Sequence, residues 1–573
     1  MFLLPGRDRA RLLGAASALA VLIAATPGAA ARSDIAAPAG SQPWSFGVMG
    51  DTQWTTTDPS NQNPNGVSVS IIKQLDQLFI EAGVRFVVQV GDLTNNGQNA
   101  DIDARAAAAQ ELYDAHIGFF PMRGNHETYG TGNGFGIAEF QKDFPQTQGG
   151  ANAFGATNFS SPTSVSADLA GMSYSFDYGS PGDSARFVIL DNWVTPTKNV
   201  APGNGYNYGY SFGDQQAWIS ARLNAATRGT EQAFVFSHQP LMAEDHQDSP
   251  FVGNTAVNPA MQDAFYASLQ DNGVRYYISG HDHMDQRSII ASPNGKSSVE
   301  ELISASASSK FYTPSDPANA GWAGQKVRET SLQQELYTVG YYIYTVDGPR
   351  VTVDYYADDQ GGWLSDGSYP TGPSGAGSRV TPTFHFVKKG SWGYSTNGRQ
   401  LLVGGTHDTA FATVQDTFGD TSANILSGRY ANTLTDRQGR TLTEAVDTGW
   451  TPAGSRAPDK ALASDALTLW GMAPLGATQN PLSHGVTSPY TLSLSYRQGD
   501  TRQIGTGSFG LAVRDQTGQW VNAVSENVGG TSQFVVGPWR PGYGLGTYGI
   551  DPATKTVWAV LDYCGDFAAA SGV

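Results

Sequence analysis

The sequence predicts an α/β region over about residues 44–357, followed by a separate all-β domain. Residues 44 to about 290 alternate short apolar runs with amphipathic stretches, which indicates sheets layered with helices. Beyond about residue 386 the strand-like runs continue, but helical periodicity is scarce. At 573 residues the chain is also too long for one ordinary hydrophobic core. We therefore expect two domains.

The first region contains both kinds of element in alternation. Apolar runs of strand length lie at 44–49, 85–90, 117–122, 187–190, 232–236 and 275–278. Amphipathic stretches at 67–82, 214–227 and about 258–271 predict helices, with Asp214 as an N-cap. The segment 337–356 is two alternating aromatic and β-branched runs around Asp347-Gly348, which predicts a hairpin that closes this region. The catalytic domain is therefore expected at 40–359.

The rest of the chain is expected to form a linker and an accessory domain. Residues 360–385 are rich in Gly, Ser and Pro, a composition typical of linkers. Strand-like runs at 490–496, 507–514, 533–536 and 556–563 are separated by Gly, Asp and Asn turns. These features predict a β-rich accessory domain over 386–573, with a sandwich as the favoured arrangement.

The amino-terminal segment predicts export. A net basic start precedes an apolar run from Leu12 to about Ala25, and small residues follow, so residues 1–31 are interpreted as a signal peptide. An apolar run of about 14 residues is shorter than the roughly 20 that a membrane span needs. No cysteine follows the run, which excludes a lipoprotein anchor. We expect a periplasmic or extracellular protein without a stable membrane span.

The charge balance argues against nucleic acid as the main partner. The formal net charge is −17, and residues 1–31 carry three Arg and one Asp, so removing that +2 leaves −19. Such a chain lacks the basic surface that displaces counterions from a phosphate backbone. A local metal site could still bind a phosphate group, because bound cations are often the largest local charges. A small-molecule phosphate ester remains a compatible partner.

Five short polar clusters, each following an apolar run, carry the chemistry of the first region. In chain order they are Gly50-Asp51-Thr52-Gln53, Gly91-Asp92-Leu93-Thr94-Asn95, Gly124-Asn125-His126-Glu127, Ser237-His238-Gln239 and Gly280-His281-Asp282-His283. Any one alone could be a turn or a core histidine. All five in order at strand ends predict a metal site.

The donor set suffices for two divalent ions, such as Mn, Fe, Zn or Mg, that share one carboxylate. If Asp92 bridges them, one ion would bind Asp51, Asp92 and His283, with Gln53 as a weaker ligand. The other would bind Asp92, Asn125, His238 and His281. A water shared by both ions would become hydroxide near neutral pH and attack phosphorus in line. His126 is then the best candidate to protonate the leaving alkoxide, with Asp92 and His126 as the catalytic pair.

These clusters resemble the blocks of the calcineurin-like metallophosphoesterases, which run Asp-x-His, Gly-Asp-x-x, Gly-Asn-His-Asp/Glu, a lone His and Gly-His-x-His. The resemblance covers about residues 44–357 and includes Leu190-Asp191-Asn192. It implies a two-layer β sandwich flanked by helices, that is, a four-layer α/β/β/α fold. It also implies a bimetal site and phosphoester hydrolysis, with the ligand roles given above and His126 as the acid.

Two departures from the family pattern affect the interpretation. Gln53 stands where the family usually has His, and an amide oxygen is a harder and weaker ligand than imidazole. The ion that would bind Asp51, Asp92 and His283 could therefore bind loosely. No Tyr stands three positions after Asp92, which disfavours a purple acid phosphatase. Phosphomonoesterase and phosphodiesterase activities both remain open. The alternative is a hydrolytically weak, metal-containing binding protein whose β domain attaches to glycan or a cell surface.

Two other side chains near the clusters have open roles. Arg123 could contact a phosphate or form a structural salt bridge. His246 lies in a predicted loop near the site and could contact substrate, because loops at a pocket often carry function.

Overall fold

A computed structural model describes most of the chain from residue 42 onward. The described residues are 42–573 except 56–57, 59–60, 129–135, 151–152, 194–210, 313, 337, 349, 359–383, 396–400, 405–410, 416–420, 427–462, 465, 471–485, 497–503, 516, 518, 541 and 564. The signal peptide and nearly all of the linker lie outside these residues, so those expectations remain predictions.

The first region contains thirteen strands and six α-helices in the described residues. The strands are β1 (Trp44–Met49), β2 (Phe86–Gln89), β3 (Gly118–Pro121), β4 (Thr157–Ser160), β5 (Tyr174–Ser180), β6 (Asp183–Leu190), β7 (Gln232–Ser237), β8 (Tyr276–Ser279), β9 (Asp285–Ala291), β10 (Ser298–Ile303), β11 (Glu329–Glu335), β12 (Gly340–Asp347) and β13 (Arg350–Asp358). The helices are α1 (Val69–Ala82), α2 (Asn99–Ala108), α3 (Gln110–Asp114), α4 (Ile137–Asp143), α5 (Phe212–Leu223) and α6 (Pro259–Gln270).

Two sheets carry the first region, and each has a parallel centre. Strands β1, β2 and β3 pair in parallel, while β12 adds to β1 and β13 adds to β12 in antiparallel fashion. In the second sheet β6, β7, β8 and β10 are parallel neighbours, and β5, β9 and β11 pair antiparallel. The carboxyl ends of parallel strands are where loops commonly build a site.

Helices cover both outer faces of this pair of sheets. Between the sheets, aromatic side chains from both interdigitate, and the Phe46 and Phe187 rings meet edge to face with 5.0 Å between centroids. Phe79 of α1 packs with the outer face of the first sheet, and Phe265 of α6 packs with that of the second. The predicted four-layer α/β/β/α arrangement is confirmed.

The C-terminal region is built from strands. They are β14 (Phe386–Ser395), β15 (Leu401–Gly404), β16 (Phe411–Gln415), β17 (Thr421–Leu426), β18 (Ala466–Trp470), β19 (Val486–Ser495), β20 (Phe509–Arg514), β21 (Trp520–Asn522), β22 (Gln533–Val536), β23 (Thr547–Asp551), β24 (Thr556–Tyr563) and β25 (Gly565–Ser571). One core joins side chains of β20 and β25 to those of β19 and β24. The β-rich character predicted after residue 386 is therefore confirmed.

The C-terminal strands form two sheets, one of which continues the first sheet of the α/β region. Strand β14 pairs with β13 along its length, and β17, β18, β25, β20 and β21 extend the same sheet to eleven strands. Strands β15, β16, β19, β24, β23 and β22 form a six-stranded sheet. The two regions are therefore connected by backbone hydrogen bonds between β13 and β14 in addition to the covalent chain.

Two details of the first region differ from or refine the sequence expectations. Helix α5 begins at Phe212 with Ser211 as its N-cap, and Asp214 occupies the third helical position of a capping box, so the prediction of Asp214 as N-cap is wrong. The predicted hairpin is confirmed as β12 and β13, paired from Asp347↔Arg350 to Gly340↔Ala357.

Among the described residues, no helix has both the length and the apolar character needed to cross a bilayer.

Candidate metal centre

The five polar clusters lie in loops that follow β1, β2, β3, β7 and β8. The structure brings the seven predicted ligand residues together, and each is at most 7% exposed. They are Asp51, Gln53, Asp92, Asn125, His238, His281 and His283. Burial of this many polar groups is costly unless they are paired or hold a cation, so their convergence indicates a binding site.

Glycines allow these loops to approach one another closely. A Cβ atom on Gly124 would lie 2.1 Å from Asp92 Oδ1, and one on Gly91 would lie 2.5 Å from His238 Nδ1. Gly91 also has a φ of 97°, which side-chain-bearing residues rarely adopt. The geometry of the site therefore requires glycine at position 91, before Asp92, and at position 124, before Asn125.

Three ligand residues have left-handed backbone conformations although they are not glycine. The φ angles of Asp92, His281 and His283 are 43°, 76° and 51°. Such conformations cost about 1–3 kcal/mol each and tend to gather at functional sites. Here they direct three side chains of two loops toward one point.

The first ligand group contains Asp92, His238 and His281, whose ligand atoms all lie within 4.8 Å of one another. His238 Nε2 lies 3.1 Å from both Asn125 Oδ1 and His281 Nδ1, and 3.3 Å from Asp92 Oδ1. The outer ring nitrogens face acceptors: His238 Nδ1 donates to the Val90 carbonyl at 2.8 Å, and His281 Nε2 lies 3.5 Å from Asp248 Oδ1. The inner nitrogens are therefore left with lone pairs, so the four inner atoms suit a shared cation.

The second ligand group contains Asp51, Asp92 and His283, again with ligand atoms within 4.8 Å. His283 Nδ1 donates to the Lys310 carbonyl at 2.7 Å, which leaves Nε2 facing Asp51 Oδ1 at 3.7 Å. Nε2 is buried and has no hydrogen-bond partner in the described part of the chain. Asp92 belongs to both groups, as expected of a bridging carboxylate, so the donor set fits a dinuclear site.

Gln53 lies beside the second group, but its amide nitrogen rather than its oxygen faces the shared carboxylate. Nε2 donates to Asp92 Oδ2 at 3.1 Å, and the buried Oε1 has no hydrogen-bond partner among the described residues. Rotating the amide by 180° exchanges the two atoms, and this is the change that ligation by Gln53 requires. The role of Gln53 as a ligand remains a prediction.

The electrostatics of the centre favour positive charge at its middle. Burial is the largest influence on Asp51 and raises its pKa to about 7. Burial disfavours protonation of His238, but the carboxylates of Asp92 and Asp51 outweigh it and raise the pKa of His238 to about 10. Burial lowers the pKa of His281 to about 4, which keeps this imidazole neutral and its lone pair available.

His126 is held at the edge of the centre with its ring orientation fixed. Its Nδ1 donates to the Asn95 carbonyl at 2.6 Å, and its backbone N–H donates to Asp92 Oδ1 at 3.1 Å. The other ring nitrogen, Nε2, lies 3.8 Å from Asp92 Oδ2. This orientation is compatible with the predicted role as a proton donor, which remains a prediction.

Glu127 and Asp282, to which the sequence interpretation gave no role, support the clusters from behind. Glu127 accepts hydrogen bonds from the backbone N–H groups of Gly124 and Thr94, at 2.8 and 3.0 Å, and so ties two site loops together. Asp282 accepts from the backbone N–H of Glu244 and from His246 Nδ1, the latter at 2.6 Å. Both residues belong to the five polar clusters of the sequence, so membership of a cluster was the sequence feature that could have indicated their supporting role.

Arg123 forms a structural salt bridge. Its Nε lies 2.8 Å from Asp191 Oδ2, and both side chains are completely buried. Asp191 Oδ1 in turn accepts the backbone N–H of Trp193 at 2.7 Å. Of the two roles left open for Arg123, the structure supports the salt bridge.

His246 is the loop histidine that lies against a metal-ligand side chain. Its ring stacks on the ring of His281 with 3.8 Å between centroids, and it meets Tyr312 edge to face at 4.7 Å. Burial opposes its protonation, but the hydrogen bond and the charge of Asp282 raise the pKa of His246. His246 and Asp282 therefore form a hydrogen-bonded pair beside the centre.

Comparison with known proteins gives a family match within the first region. Residues 45–285 match the family described as calcineurin-like phosphoesterase. Similar solved structures include a dimetal phosphatase from Danio rerio (16% identity, 54% of this chain and 95% of that chain, TM-score 0.35). They also include a purple acid phosphatase from seeds of yellow lupin, Lupinus luteus (16% identity, 55% of this chain and 51% of that chain, TM-score 0.36). A third is PhoD (13% identity, 62% of this chain and 70% of that chain, TM-score 0.35). Scores this low establish no function for this chain, and no curated protein matches it.

Proposed function

We propose that this protein is an exported, metal-dependent hydrolase of small-molecule phosphate esters, and the match of residues 45–285 to the calcineurin-like phosphoesterase family supports this proposal. The observation that supports it best is the pair of buried ligand groups that share Asp92. A shared carboxylate between two sets of imidazole and carboxylate donors is typical of two-metal hydrolases. The ester is a monoester or a diester.

The residues divide the work between holding cations and moving a proton. Asp92, Asn125, His238 and His281 would hold one ion, and Asp51, Asp92 and His283 would hold the other. When bound, divalent ions supply the positive charge that activates water and stabilises the phosphoryl oxygens. The mixture of nitrogen and oxygen donors suits Mn, Fe, Zn or Mg.

His126 supplies the proton that the leaving group needs. Hydrolysis forms a bond between a water oxygen and phosphorus and breaks the bond from phosphorus to the ester oxygen. The attacking water gives up one proton to solvent. The departing alkoxide takes a proton from Nε2 of the doubly protonated His126 ring, and the neutral ring that remains regains a proton from solvent. The hydrogen bond from Nδ1 to the Asn95 carbonyl keeps Nε2 directed inward throughout.

Export rests on the sequence of residues 1–31. Its basic start, short apolar run and small-residue end are typical of signal peptides. The protein would then work in the periplasm or outside the cell. Its β-rich region after residue 386 would be available for contact with glycan or a cell surface.

A metal-containing binding protein is the second candidate function, and the residue type of Gln53 favours it. An amide oxygen is a weaker ligand than the imidazole that the family usually has at this position, so the ion in the second ligand group would be held less tightly. A weakly held second ion would reduce hydrolysis while leaving the first ligand group intact. The β-rich region would then carry the main binding function.

The experiment that tests the proposal is metal reconstitution of the purified full chain. After chelation, the protein is reloaded separately with Mn, Fe, Zn or Mg, and its metal content is measured by elemental analysis. Release of product from p-nitrophenyl phosphate and bis(p-nitrophenyl) phosphate is followed from pH 5 to 9. We expect two ions per chain and restored hydrolysis with at least one metal. Two bound ions without hydrolysis of either ester would instead support the binding protein.

A further inference from the structure

Lys310 is attached to the metal centre through its backbone. It follows the segment after β10, and its carbonyl accepts the hydrogen bond of His283 Nδ1 at 2.7 Å. Its own N–H donates to Ser308 Oγ at 3.0 Å, and Ser308 Oγ lies 3.1 Å from the same His283 nitrogen. The main chain of Lys310 is therefore fixed relative to a predicted metal ligand.

The ammonium group of Lys310 stands over an aromatic ring at the edge of the centre. Nζ lies 4.8 Å from the centroid of the Tyr312 ring. That ring meets the rings of His283 at 5.3 Å and His246 at 4.7 Å, and His246 stacks on His281. The ammonium thus lies on a ring that contacts His283 directly and is connected to His281 through His246.

The contact of this ammonium with the Tyr312 ring leaves its N–H groups without an acceptor among the described residues. Within the described part of the chain, Lys310 Nζ forms no hydrogen bond, and no carboxylate oxygen comes within salt-bridge distance. The side chain is only partly exposed. By contrast, Lys326 pairs with Glu329 at 3.2 Å, and Lys388 pairs with Asp354 at 2.8 Å. A half-buried cation without a hydrogen-bonding partner is expected to have an anionic ligand.

The neighbouring charges place this cation in the field of the centre. Burial lowers the pKa of Lys310, and the carboxylates of Asp92, Asp51 and Asp245 act in the opposite direction by favouring its charged form. Divalent ions held by Asp92 and Asp51 would neutralise those two carboxylates. The ammonium would then be an additional positive charge facing whatever anion the centre receives.

We propose that Lys310 binds a non-bridging oxygen of the substrate phosphoryl group and favours phosphomonoesters over phosphodiesters. The inference rests on the proposed phosphoesterase function and adds the class of ester. A monoester at neutral pH carries about two negative charges, whereas a diester carries one and replaces an anionic oxygen by an ester arm. An added cation beside the metal ligands stabilises the more highly charged ester more strongly.

The test compares Lys310→Met with the wild type, using Lys310→Arg as the conservative variant. Lys296→Met is the matched control, because Lys296 is exposed in the turn between β9 and β10. Each metal-loaded protein is assayed for kcat/KM with p-nitrophenyl phosphate and bis(p-nitrophenyl) phosphate. Binding of inorganic phosphate is measured by calorimetry, and metal content by elemental analysis.

We expect the wild type to prefer the monoester and Lys310→Met to retain its metal. The variant should lose about 10- to 100-fold in kcat/KM for the monoester and less than about threefold for the diester. Its phosphate affinity should fall about tenfold, the loss expected for one charge-assisted hydrogen bond. Lys310→Arg should recover part of both losses, and Lys296→Met should match the wild type.

Several outcomes would overturn the inference. These are equal losses for both esters, unchanged phosphate affinity, loss of metal in Lys310→Met, and a wild type that prefers the diester. If the wild type hydrolysed neither ester, the proposed function would fail. The calorimetric comparison would still decide whether Lys310 binds phosphate, because it needs no turnover.

Discussion

The α/β region and the C-terminal β region bury very different side chains. Behind the strand ends of the first region lie fully buried acids and imidazoles whose lone pairs converge. In the described part of the C-terminal region, the core is apolar, and buried aspartates accept backbone hydrogen bonds: Asp562 accepts the Val528 N–H at 3.1 Å, and Asp551 accepts the Ala553 N–H at 3.1 Å. In the first region, the burial of polar groups at the site lowers the stability of the fold, whereas packing alone explains the buried side chains of the second region.

The largest expected effect on turnover comes from the carboxylate that belongs to both ligand groups. Asp92→Ala should reduce hydrolysis by at least about 100- to 1000-fold, because both ions lose a ligand. Metal content by elemental analysis should fall as well. Asp114→Ala, which removes an exposed carboxylate at the end of α3, is the control and should change neither quantity. Retention of two ions by Asp92→Ala would contradict the shared-carboxylate arrangement.

The next effect should depend on the leaving group. His126→Ala should keep both ions but slow alkyl phosphates by about 10²- to 10⁴-fold, because alkoxides need a proton donor. p-Nitrophenyl phosphate, whose leaving group is stable without protonation, should be much less affected. His116→Asn is a suitable control, since His116 is exposed and has a φ of 61°, which Asn tolerates. Metal loss in His126→Ala would show that this residue is a ligand.

A smaller effect is expected from a residue that acts only through its neighbours. Asp282→Asn replaces a carboxylate oxygen by an NH₂ group, which cannot accept the hydrogen bonds that Asp282 takes from the Glu244 N–H and His246 Nδ1. We therefore expect kcat/KM to fall about 10- to 100-fold while metal is retained. Asp316→Asn, in an exposed turn, serves as the control. A variant with unchanged kcat/KM would mean that the 244–246 loop needs no anchoring by Asp282.

The smallest effect on turnover is expected from the core of the C-terminal region. Leu561→Ala truncates a fully buried side chain and should lower the free energy of unfolding by about 2–5 kcal/mol. Turnover and metal content measured well below the melting temperature should not change. Val528→Ser, at a position 69% exposed, should shift stability by less than about 0.5 kcal/mol. A fall in metal content in Leu561→Ala would show that the two regions are energetically coupled.

The parts of the site that sequence predicts are those that follow directly from strand ends. Asp51, Asp92, Asn125, His238, His281 and His283 each come within four residues of a buried strand, and parallel pairing brings those ends to one edge. The alternation of apolar runs and amphipathic stretches likewise predicts the layered fold. Local periodicity is sufficient for both conclusions.

Other features depend on pairing and loop paths that local sequence does not encode. Lys310 and Tyr312 reach the centre because β10 pairs with β8 and returns the chain past His283, although no motif surrounds them. The amide orientation of Gln53 depends on a contact with a residue 39 positions away. The N-cap of α5 is Ser211 rather than Asp214 because the two side chains form a reciprocal capping box, in which either could be the cap by residue type.

The pairing of β13 with β14 has a consequence for any attempt to isolate the α/β region. Trp392 of β14 is completely buried, lies in the core between the two sheets and takes the Arg287 guanidinium 4.0 Å from its ring centroid. Lys389 forms an ion pair with Glu335 of β11. A polypeptide ending at Asp358 would leave the backbone edge of β13 unpaired. It would also leave a cavity where Trp392 packs, and it would leave Glu335 buried without Lys389. We expect such a fragment to self-associate, whereas one extended through Ser395 would keep that border covered.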